Sequence, residues 1–480
     1  MQRALLFLNE PIRQSVSECL VSCYLSTPVN AAARLMKDVN TGALLVRGEK
    51  ESDYVGIVTD HDIRKRLVAA HLKADTPVSQ IMSAPLVSVH EDALMFEGLL
   101  AMLENNVGHI VIKDNNGKAT RVVGAMQFLR NQKYPLAMLL RDINGSETPE
   151  QLFRVRERLP IIIQATYASN PDSFNMTRII SAAAEAVTKK IILFAIGELG
   201  PPPSSFVFMA LGSVGREEQT LVTDQDNALM YDDVPPGERE EAEHYFLKLG
   251  EKVCTWLDRA GYSFCDGEIM AMNPKWCQPL TIWQDYFKQW VSTSEPADLL
   301  ETKIFFDFRG VYGDLDLVNR LRNHMHEQVK QKPMFLFHLV HNCLQFKPPL
   351  GMFKNIVVES AGEHRETFSI KKAMTPIVDL VRIYALKHEI NETSTFSRLL
   401  KLEADGHLSP TEYRELILVY RSLLEQRFKH QLVALGEGTG PDNHVNPREL
   451  AEMELAILRE AMSQTSSFQS KMSFDFTGSA

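Results

Sequence analysis

Two aspartates separated by one residue, Asp224 and Asp226, are the part of the sequence best suited to chemistry. They precede the apolar run NALMY, and a strand over 224–231 would put both carboxylates side by side on one face. Adjacent carboxylates repel unless a cation lies between them, so a divalent metal such as Mg²⁺ or Mn²⁺ is the expected partner. The alternatives are a solvated acidic turn or a calcium loop, and the latter would need a glycine and a distal glutamate that are missing here.

A glycine-serine turn lies upstream of the aspartates. The apolar run FVFMAL at 206–211 predicts a buried strand that leads directly into this turn. Gly212 allows a tight turn and a close approach to the backbone, whose amides could hold a phosphate together with the Ser213 hydroxyl. Arg216 could add a bidentate phosphate contact. The stretch therefore combines a triphosphate site with a metal site, as phosphoryl or nucleotidyl transfer requires.

The spacing of these residues resembles the signature of the polymerase-beta-like nucleotidyltransferase superfamily, G-S-x(10)-D-x-D. The longer string GSVGREEQTLVTDQDNAL resembles a bacterial family related to the PII-protein uridylyltransferases, and the likeness continues through CDGEIMAMNPKWC and the helical C-terminal part. The resemblance implies that Asp224 and Asp226 are catalytic and that a nucleoside monophosphate passes from a nucleoside triphosphate to an acceptor, with a protein hydroxyl as one candidate. The rival hypothesis is a non-catalytic module that binds nucleotides and docks a partner protein.

Members of this superfamily usually have a third carboxylate on a neighbouring strand, and two places in the sequence could supply it. Asp307 follows the apolar stretch KIFF, whereas Asp266 and Glu268 lie in the strand-like run YSFCDGEIMA. The acid before F-R is typical of the family, so Asp307 is the predicted third catalytic residue. The alternative is that Asp307 forms an ion pair with Lys303 or Arg309.

The first 130 residues contain two copies of one pattern: helix, strand, turn, strand, helix. The strand-like runs are ALLV and VGIV in the first copy and HIVI and VVGAM in the second. Gly42 and Gly108 occupy like positions, and the same was expected of Gly56 and Gly124. Neither copy could bury its faces alone, so the two are expected to pack as a pair.

The residues GIVTDHDI at 56–63 resemble the G-x-x-T-x-x-D motif of CBS domains, which commonly occur in pairs and bind adenine nucleotides. The resemblance implies that Thr59 and Asp62 contact the phosphate and ribose of a regulatory adenine nucleotide, and that the pair forms a homodimer. The alternative is that the two residues cap a helix. Gln127 and Arg130 are the expected counterparts in the second copy, where the motif is lost.

Helical periodicity dominates from Glu147 to about Leu199 and again from about Leu315 to Gln464. We therefore expect a multidomain α/β protein with a CBS pair (10–135), a nucleotidyltransferase domain (145–318) and an all-α C-terminal domain (325–470). Four basic residues of the last domain either face the nucleotide or lie on solvated helix faces: Lys371, Lys372, Arg382 and Arg398. The tail after Gln464 is expected to be loosely ordered.

The composition is that of a globular protein, with 480 residues and a net charge of −10. The acidic balance argues against nucleic acid as the main partner, because phosphate contacts need clustered Lys and Arg. No run reaches the roughly 18 apolar residues of a membrane span. The start of the chain lacks signal-peptide features, and none of the six cysteines forms a C-x-x-C pair. A cytoplasmic protein with reduced thiols is expected.

Overall fold

The computed structural model describes residues 11–15, 20–48, 54–125, 135–169, 171–222, 224–292, 302–351, 355–362 and 364–477. The chain divides into two compact units, the first comprising Met1–Gly145 with Ala168–Pro171 and the second Ser146–Tyr167 with Asp172–Ala480. The expected fold class, α/β with a helical C-terminal region, is confirmed. The second unit includes both the predicted transferase domain and the predicted C-terminal domain.

The first unit contains two three-stranded sheets of the same design. In each sheet the first strand is parallel to the second, and the second is antiparallel to the third. The strands are β1 Ser22–Tyr24, β2 Ala43–Arg47, β3 Tyr54–Thr59, β4 Ser88–His90, β5 His109–Lys113 and β6 Ala119–Gly124. The helices are α1 Ile12–Ser15, α2 Val29–Asp38, α3 Asp60–Asp62 (continued by a π-helix over Ile63–Val68), α4 Met95–Glu104 and α5 Pro135–Gly145.

The internal repeat is thereby confirmed, but the strand register corrects its predicted alignment. Thr59 pairs with Ala43 directly after Gly42, and Gly124 pairs with His109 directly after Gly108. Gly124 is therefore the counterpart of Thr59 and not of Gly56. The predicted alignment made the second hairpin two residues longer than the first, whereas the strand register makes it one residue shorter, a difference of three positions. Counting three residues on, the counterpart of Asp62 is Gln127 rather than Arg130, and both of these lie outside the described residues.

The second unit is built on a four-stranded mixed sheet of order β10-β7-β8-β9. Its strands are β7 Phe206–Ala210, β8 Asn227–Tyr231, β9 Cys277–Pro279 and β10 Arg309–Gly313. The helices up to β10 are α6 Pro149–Arg156, α7 Leu159–Ser169, α8 Ser173–Leu199, α9 Gly212–Gly215, α10 Arg239–Arg259 and α11 Leu280–Ser292. The strand predicted over YSFCDGEIMA is wrong, because that segment is a loop with a turn at 266–267 and a single bridge at Ser263.

Six further helices follow the sheet: α12 Leu315–Gln331, α13 Pro333–Gln345, α14 Ile370–Lys387, α15 Thr395–Ala404, α16 Pro410–Glu437 and α17 Glu452–Thr477. The two-residue strands β11 Phe368–Ser369 and β12 His444–Val445 pair beside them. One hydrophobic core runs from the sheet into this bundle, for example from Val207 through Phe305 to Ile377. This shared core explains why both segments form a single unit.

The loosely ordered tail predicted after Gln464 is also wrong. Helix α17 runs to Thr477, and Phe468 and Met472 are buried in the shared core. These two residues are four positions apart, so they lie on the same helix face. Burial of that face stabilises a segment that its serine content alone would not favour.

Candidate functional site

Asp224 and Asp226 lie on one side of the chain segment that enters β8, as the alternation of side chains predicted. The intervening Gln225 and the following Asn227 face the interior instead. The Gln225 amide donates to the backbone carbonyls of Cys254 (3.0 Å) and Tyr262 (2.8 Å), and Asn227 Oδ1 accepts from the backbone N–H of Ala271 (2.8 Å). These buried hydrogen bonds fix the segment, so the two carboxylates are held together on its other side.

A third side chain joins the aspartates. Single ligand atoms of Asp224, Asp226 and Cys265 all lie within 4.8 Å of one another. Cys265 comes from the loop that was wrongly expected to be a strand, so sequence reasoning did not single it out. Burial, and next the charge of Asp226, raise the pKa of its thiol to about 11. Two carboxylates with a thiol are a donor set that a divalent cation with some affinity for sulfur could use.

The carboxylate pair carries an electrostatic cost that a cation would relieve. Asp226 is buried, and burial followed by the charge of Asp224 raises its pKa to about 6. A hydrogen bond from Cys265 and the charges of Lys371 and Arg216 lower this pKa without cancelling the effect. A metal ion between the two carboxylates would remove the repulsion, so these residues fit the Mg²⁺ or Mn²⁺ that was expected there.

The glycine-serine turn is packed against the aspartate pair. The backbone N–H of Leu211 donates to the Asp226 carbonyl (2.9 Å), and Gly212 begins the four-residue helix α9 with a φ of +53°. A Cβ atom at Gly212 would lie 2.7 Å from Ile304 Cγ1 and 3.3 Å from Asp226 Oδ2. The backbone therefore approaches the Asp226 carboxylate as closely as it does because residue 212 is glycine.

Gly215 is constrained even more tightly. A Cβ atom there would lie 1.9 Å from the backbone oxygen of Asp307 and 2.8 Å from that of Ala210. Both neighbours are main-chain atoms, which cannot rotate away as a side chain could. Helix α9 is thus pressed onto the segment that carries Asp307, and this contact fixes where the turn presents Ser213.

Asp307 does not join the cluster of Asp224, Asp226 and Cys265, which corrects the expectation that it supplies the third carboxylate. Its side chain is fully buried and accepts hydrogen bonds from three guanidinium groups. Arg382 Nη2 and Arg216 Nη1 each donate to Oδ2 at 2.6 Å, and Arg398 Nη1 donates to Oδ1 at 2.6 Å. Burial alone would raise the pKa of Asp307, but the three positive charges outweigh it and hold the pKa far below the usual range.

Asp307 does form ion pairs, as the alternative hypothesis expected, but not with Lys303 or Arg309. Lys303 binds Asp379 (2.8 Å) and Arg309 binds Glu185 (2.6 Å). The true partners of Asp307 include Arg382 and Arg398, which lie more than seventy positions further along the chain. Partners so far away in the sequence cannot be recognised from the residues around Asp307.

The guanidinium group of Arg216 is also paired with carboxylates. Its Nε donates to Glu218 (2.7 Å) and its Nη1 donates to Asp307. Burial lowers the pKa of Arg216, but the two carboxylates outweigh this effect and raise it. The charge of Arg216 is therefore already balanced by two buried carboxylates, although its other N–H groups have no such partner among the described residues.

A cavity of about 330 Å³ connects the turn to the helical bundle. Gly212, Ser213, Arg216 and Asp226 line it from the transferase side. The basic side chains on the remaining wall are Lys303, Lys371, Arg382 and Arg427. Of the four bundle residues considered from the sequence, Lys371 and Arg382 reach this cavity, Lys372 is exposed, and Arg398 is buried against Asp307.

In the first unit, Thr59 and Asp62 form a capping box at the start of α3. Asp62 Oδ2 accepts from the Thr59 backbone N–H (3.0 Å) and hydroxyl (2.7 Å), while the Asp62 N–H donates to Thr59 Oγ1 (3.3 Å). Ser83 donates to the other oxygen, Oδ1, at 3.1 Å. The capping interpretation is therefore correct for this structure. Both residues nevertheless line a cavity of about 1320 Å³, whose walls come from both repeats.

Comparison with known proteins finds three families along the chain. Residues 14–69 and 78–130 match the CBS domain family, residues 157–297 match the family described as "Putative nucleotidyltransferase DUF294", and residues 333–476 match "Putative nucleotidyltransferase substrate binding domain". The chain belongs to the CBS-domain proteins, and it carries the DUF294 segment together with its associated C-terminal domain. Among the described helices, none has the length and apolar character needed to cross a bilayer.

The relatives it resembles share only part of the chain. The uncharacterised protein YlbB of Bacillus subtilis is 31% identical over 144 residues, which are 30% of this chain and 97% of YlbB. The uncharacterised protein MJ1404 of Methanocaldococcus jannaschii is 28% identical over 122 residues, and this chain spans only 29% of its length. A solved structure, the CBS domain protein PAE2072 from Pyrobaculum aerophilum complexed with AMP, is 20% identical with a TM-score of 0.24 and covers 27% of this chain and 98% of its own.

Proposed function

We propose that the second unit is a metal-dependent nucleotidyltransferase. The observation that carries this proposal is the contact between the two halves of the site: Gly212 abuts the carboxylate of Asp226 within one cavity. A triphosphate held at the turn would lie directly beside the paired carboxylates. The match to a nucleotidyltransferase family supports the same activity.

The aspartate cluster and the glycine-serine turn would have separate roles in this reaction. Asp224 and Asp226, with Cys265 beside them, would hold Mg²⁺ or Mn²⁺, and the turn at Gly212 and Ser213 would orient the triphosphate. The bound cation would neutralise charge on the phosphates and favour ionisation of the attacking hydroxyl. The acceptor oxygen forms a bond to the α-phosphorus while the bond to the bridging oxygen of the β-phosphate breaks. Pyrophosphate leaves, and the hydroxyl proton passes to solvent.

A protein hydroxyl is the acceptor we favour. The sequence resembles families related to protein uridylyltransferases, and the DUF294-associated C-terminal domain is described as substrate binding. The cavity of about 330 Å³ is of the size that binds a small ligand or part of a nucleotide. A protein acceptor would then present a single side chain at the cavity and contact the surrounding surface.

One observation favours the rival, a non-catalytic module that binds nucleotides and docks a partner protein. Asp307, the expected third carboxylate, is enclosed by three arginines and cannot bind a metal in this arrangement. The site therefore offers two carboxylates and a thiol, a donor set that differs from three carboxylates. Binding without turnover would be the behaviour of such a module.

Transfer of labelled phosphate separates the two hypotheses. The purified protein is incubated with Mg²⁺ or Mn²⁺, cell extract and each of the four nucleoside triphosphates labelled at the α-phosphate. We expect label on a macromolecule or small acceptor with one triphosphate, and none with the Asp224→Asn or Asp226→Asn variants. Triphosphate binding by the wild type with no transferred label, and no pyrophosphate released, would favour the non-catalytic module.

We further propose that the first unit binds an adenine nucleotide that regulates the second. The cavity of about 1320 Å³ is large enough for a nucleotide, and Arg64, Lys65, Arg66 and Arg141 supply positive charge along its walls. Thr59 and Asp62 lie in the same wall. Asp62 would have to exchange its capping partners for ribose hydroxyls, which a carboxylate can accept.

Thermal shifts with AMP or ATP test this regulatory site. If Asp62 binds ribose, Asp62→Ala should abolish the shift produced by the nucleotide in the wild type. If Asp62 only caps the helix, the variant should lose about 0.5–1 kcal/mol of stability while the nucleotide still shifts the melting temperature. We also propose a homodimer formed through the CBS pair, which light scattering of the full chain would reveal as twice the chain mass.

A further inference from the structure

The cavity between the turn and the bundle contains more positive than negative side chains. Five basic residues line it, and the acidic ones are Glu218, Asp226 and Asp379. Three of the basic residues are already paired: Arg216 with Glu218 and Asp307, Arg382 with Asp307 and Asp379, and Lys303 with Asp379. The other two are Lys371 and Arg427. Within the described ranges, neither has a carboxylate oxygen within 4.0 Å.

Arg427 is the more informative of the two, because it is buried. Only 7% of it is exposed, and its Nε donates to Asn443 Oδ1 at 2.8 Å. Asn443 Oδ1 also accepts from Gln431, which fixes this edge of the guanidinium. No acceptor for either Nη of Arg427 is found in the part of the chain that the structure describes. The Nη groups therefore remain available on a residue that lines the cavity.

Glu218, which lines the same cavity as Arg427, is already hydrogen-bonded. Its Oε2 accepts from Arg216 Nε and its Oε1 accepts from the backbone N–H of Thr395, both at 2.7 Å. Burial lowers the pKa of Arg427 to about 10, and the charges of Tyr420, Glu218 and Asp224 oppose this without cancelling it. Burying a charge without a partner costs several kcal/mol. A fold that maintains such a group beside a cavity is suited to an anion that arrives from outside.

Lys371 lines the same cavity, and so does Asp226. Lys371 is the second residue of α14 and is exposed. Its charge lowers the pKa of Asp226. An anion between Lys371 and Arg427 would lie next to the turn at Gly212 and Ser213.

We propose that Lys371 and Arg427 form the subsite for the terminal phosphates of the nucleoside triphosphate. This inference rests on the proposed function and changes its assignment of residues. The bundle, rather than Arg216 of the turn, supplies the positive charge that binds the β- and γ-phosphates and then the leaving pyrophosphate. The cation at the aspartates and the two basic side chains would hold the triphosphate from opposite ends.

Binding of inorganic tripolyphosphate, measured by calorimetry in EDTA, tests the subsite without metal, nucleoside or turnover. Lys371→Gln has a matched control in Lys372→Gln, the adjacent exposed residue, which does not line the cavity. Arg427→Gln has a control in Arg414→Gln, an exposed arginine on the same helix α16. We expect each cavity variant to weaken tripolyphosphate binding by at least about tenfold, which corresponds to about 1.4 kcal/mol, since each loses a hydrogen bond to a charged group. The controls should bind as the wild type does.

Two results would overturn the inference: a wild-type protein that does not bind tripolyphosphate, or cavity variants that match their controls. Because Arg427 is buried, its folding is checked by circular dichroism, and Lys371→Gln decides the question if Arg427→Gln does not fold. Failure of the proposed function gives a different pattern. Tripolyphosphate binding that depends on Lys371 and Arg427, without transfer of label from any triphosphate, would leave the anion subsite standing in a non-catalytic module.

Discussion

Replacing Asp307 by asparagine separates a structural acid from a catalytic one. Asp307 is fully buried and neutralises three guanidinium groups, so Asp307→Asn removes a charge without changing the size of the side chain. Arg216 keeps its ion pair with Glu218, and Arg382 keeps its ion pair with Asp379. Arg398 has no second carboxylate within 4.0 Å among the described residues, so it is left buried with two backbone carbonyls as its acceptors.

The expected loss of stability follows from that one stranded arginine. Removing one partner of a buried ion pair costs about 3–5 kcal/mol, because the other charge stays buried without compensation. The amide nitrogen of the new side chain adds a donor facing other donors, which raises the cost further. A typical domain is stable by only about 5–15 kcal/mol, so the variant should lose a large part of the stability of the second unit.

Urea unfolding followed by tryptophan fluorescence measures this loss. All four tryptophans, at positions 256, 276, 283 and 290, belong to the second unit, so the signal does not report on the CBS pair. Asp405→Asn is the matched control, because Asp405 forms an exposed pair with Lys401 and should contribute less than about 1 kcal/mol. An Asp307→Asn variant with the wild-type unfolding midpoint and no activity would refute the structural role and restore Asp307 as a catalytic residue.

Three further predictions concern the turn and the metal site. Gly215→Ala should destabilise the second unit by at least about 2 kcal/mol in the same urea assay, because its Cβ would overlap a backbone oxygen, whereas Gly237→Ala adds a Cβ in open space and should not. Mn²⁺ should slow alkylation of Cys265 by iodoacetamide, followed by mass spectrometry of the modified peptide, and equal rates with and without Mn²⁺ would exclude the thiol from the site. Mn²⁺ affinity measured by calorimetry should rise with pH and level off above about pH 6. Burial and the charge of Asp224 raise the pKa of Asp226 to about 6, so a proton must leave before the metal binds, and a pH-independent affinity would contradict this assignment.

The pairing of Asp224 and Asp226 could be predicted from the sequence because that information is local. Strand alternation puts Asp224 and Asp226 on one side, and the hydrogen bonds of Gln225 to the interior show the same alternation in the fold. Gly212 was likewise recognisable, since a glycine between a buried strand and a polar loop indicates a close backbone approach. The group that approaches proved to include Asp226 itself.

The wrong predictions for the site have a different cause: the surroundings of these residues depend on partners that are distant in the chain. Two of the three arginines that enclose Asp307 come from α14 and α15, and no local pattern around KIFFDFR indicates them. Cys265 reaches the metal site because a loop, and not a strand, brings it there. The mistaken alignment of Gly56 with Gly124 assumed a second hairpin two residues longer than the first, whereas it is one residue shorter. By contrast, the four-residue spacing of Phe468 and Met472 was visible and should have indicated a helix in the C-terminal segment.

The most direct test of the central claim is a titration of Mn²⁺ followed by electron paramagnetic resonance, in which the signal of free Mn²⁺ falls as the ion binds. Wild-type protein should bind Mn²⁺, and Asp224→Asn and Asp226→Asn should each abolish binding while keeping the wild-type circular dichroism spectrum. Asp266→Asn is the control, because this exposed acid adjoins Cys265 in sequence but lies outside the metal-binding group. Loss of Mn²⁺ binding in the first two variants alone is the predicted result. Wild-type binding in both would contradict the assignment of this site as a metal centre.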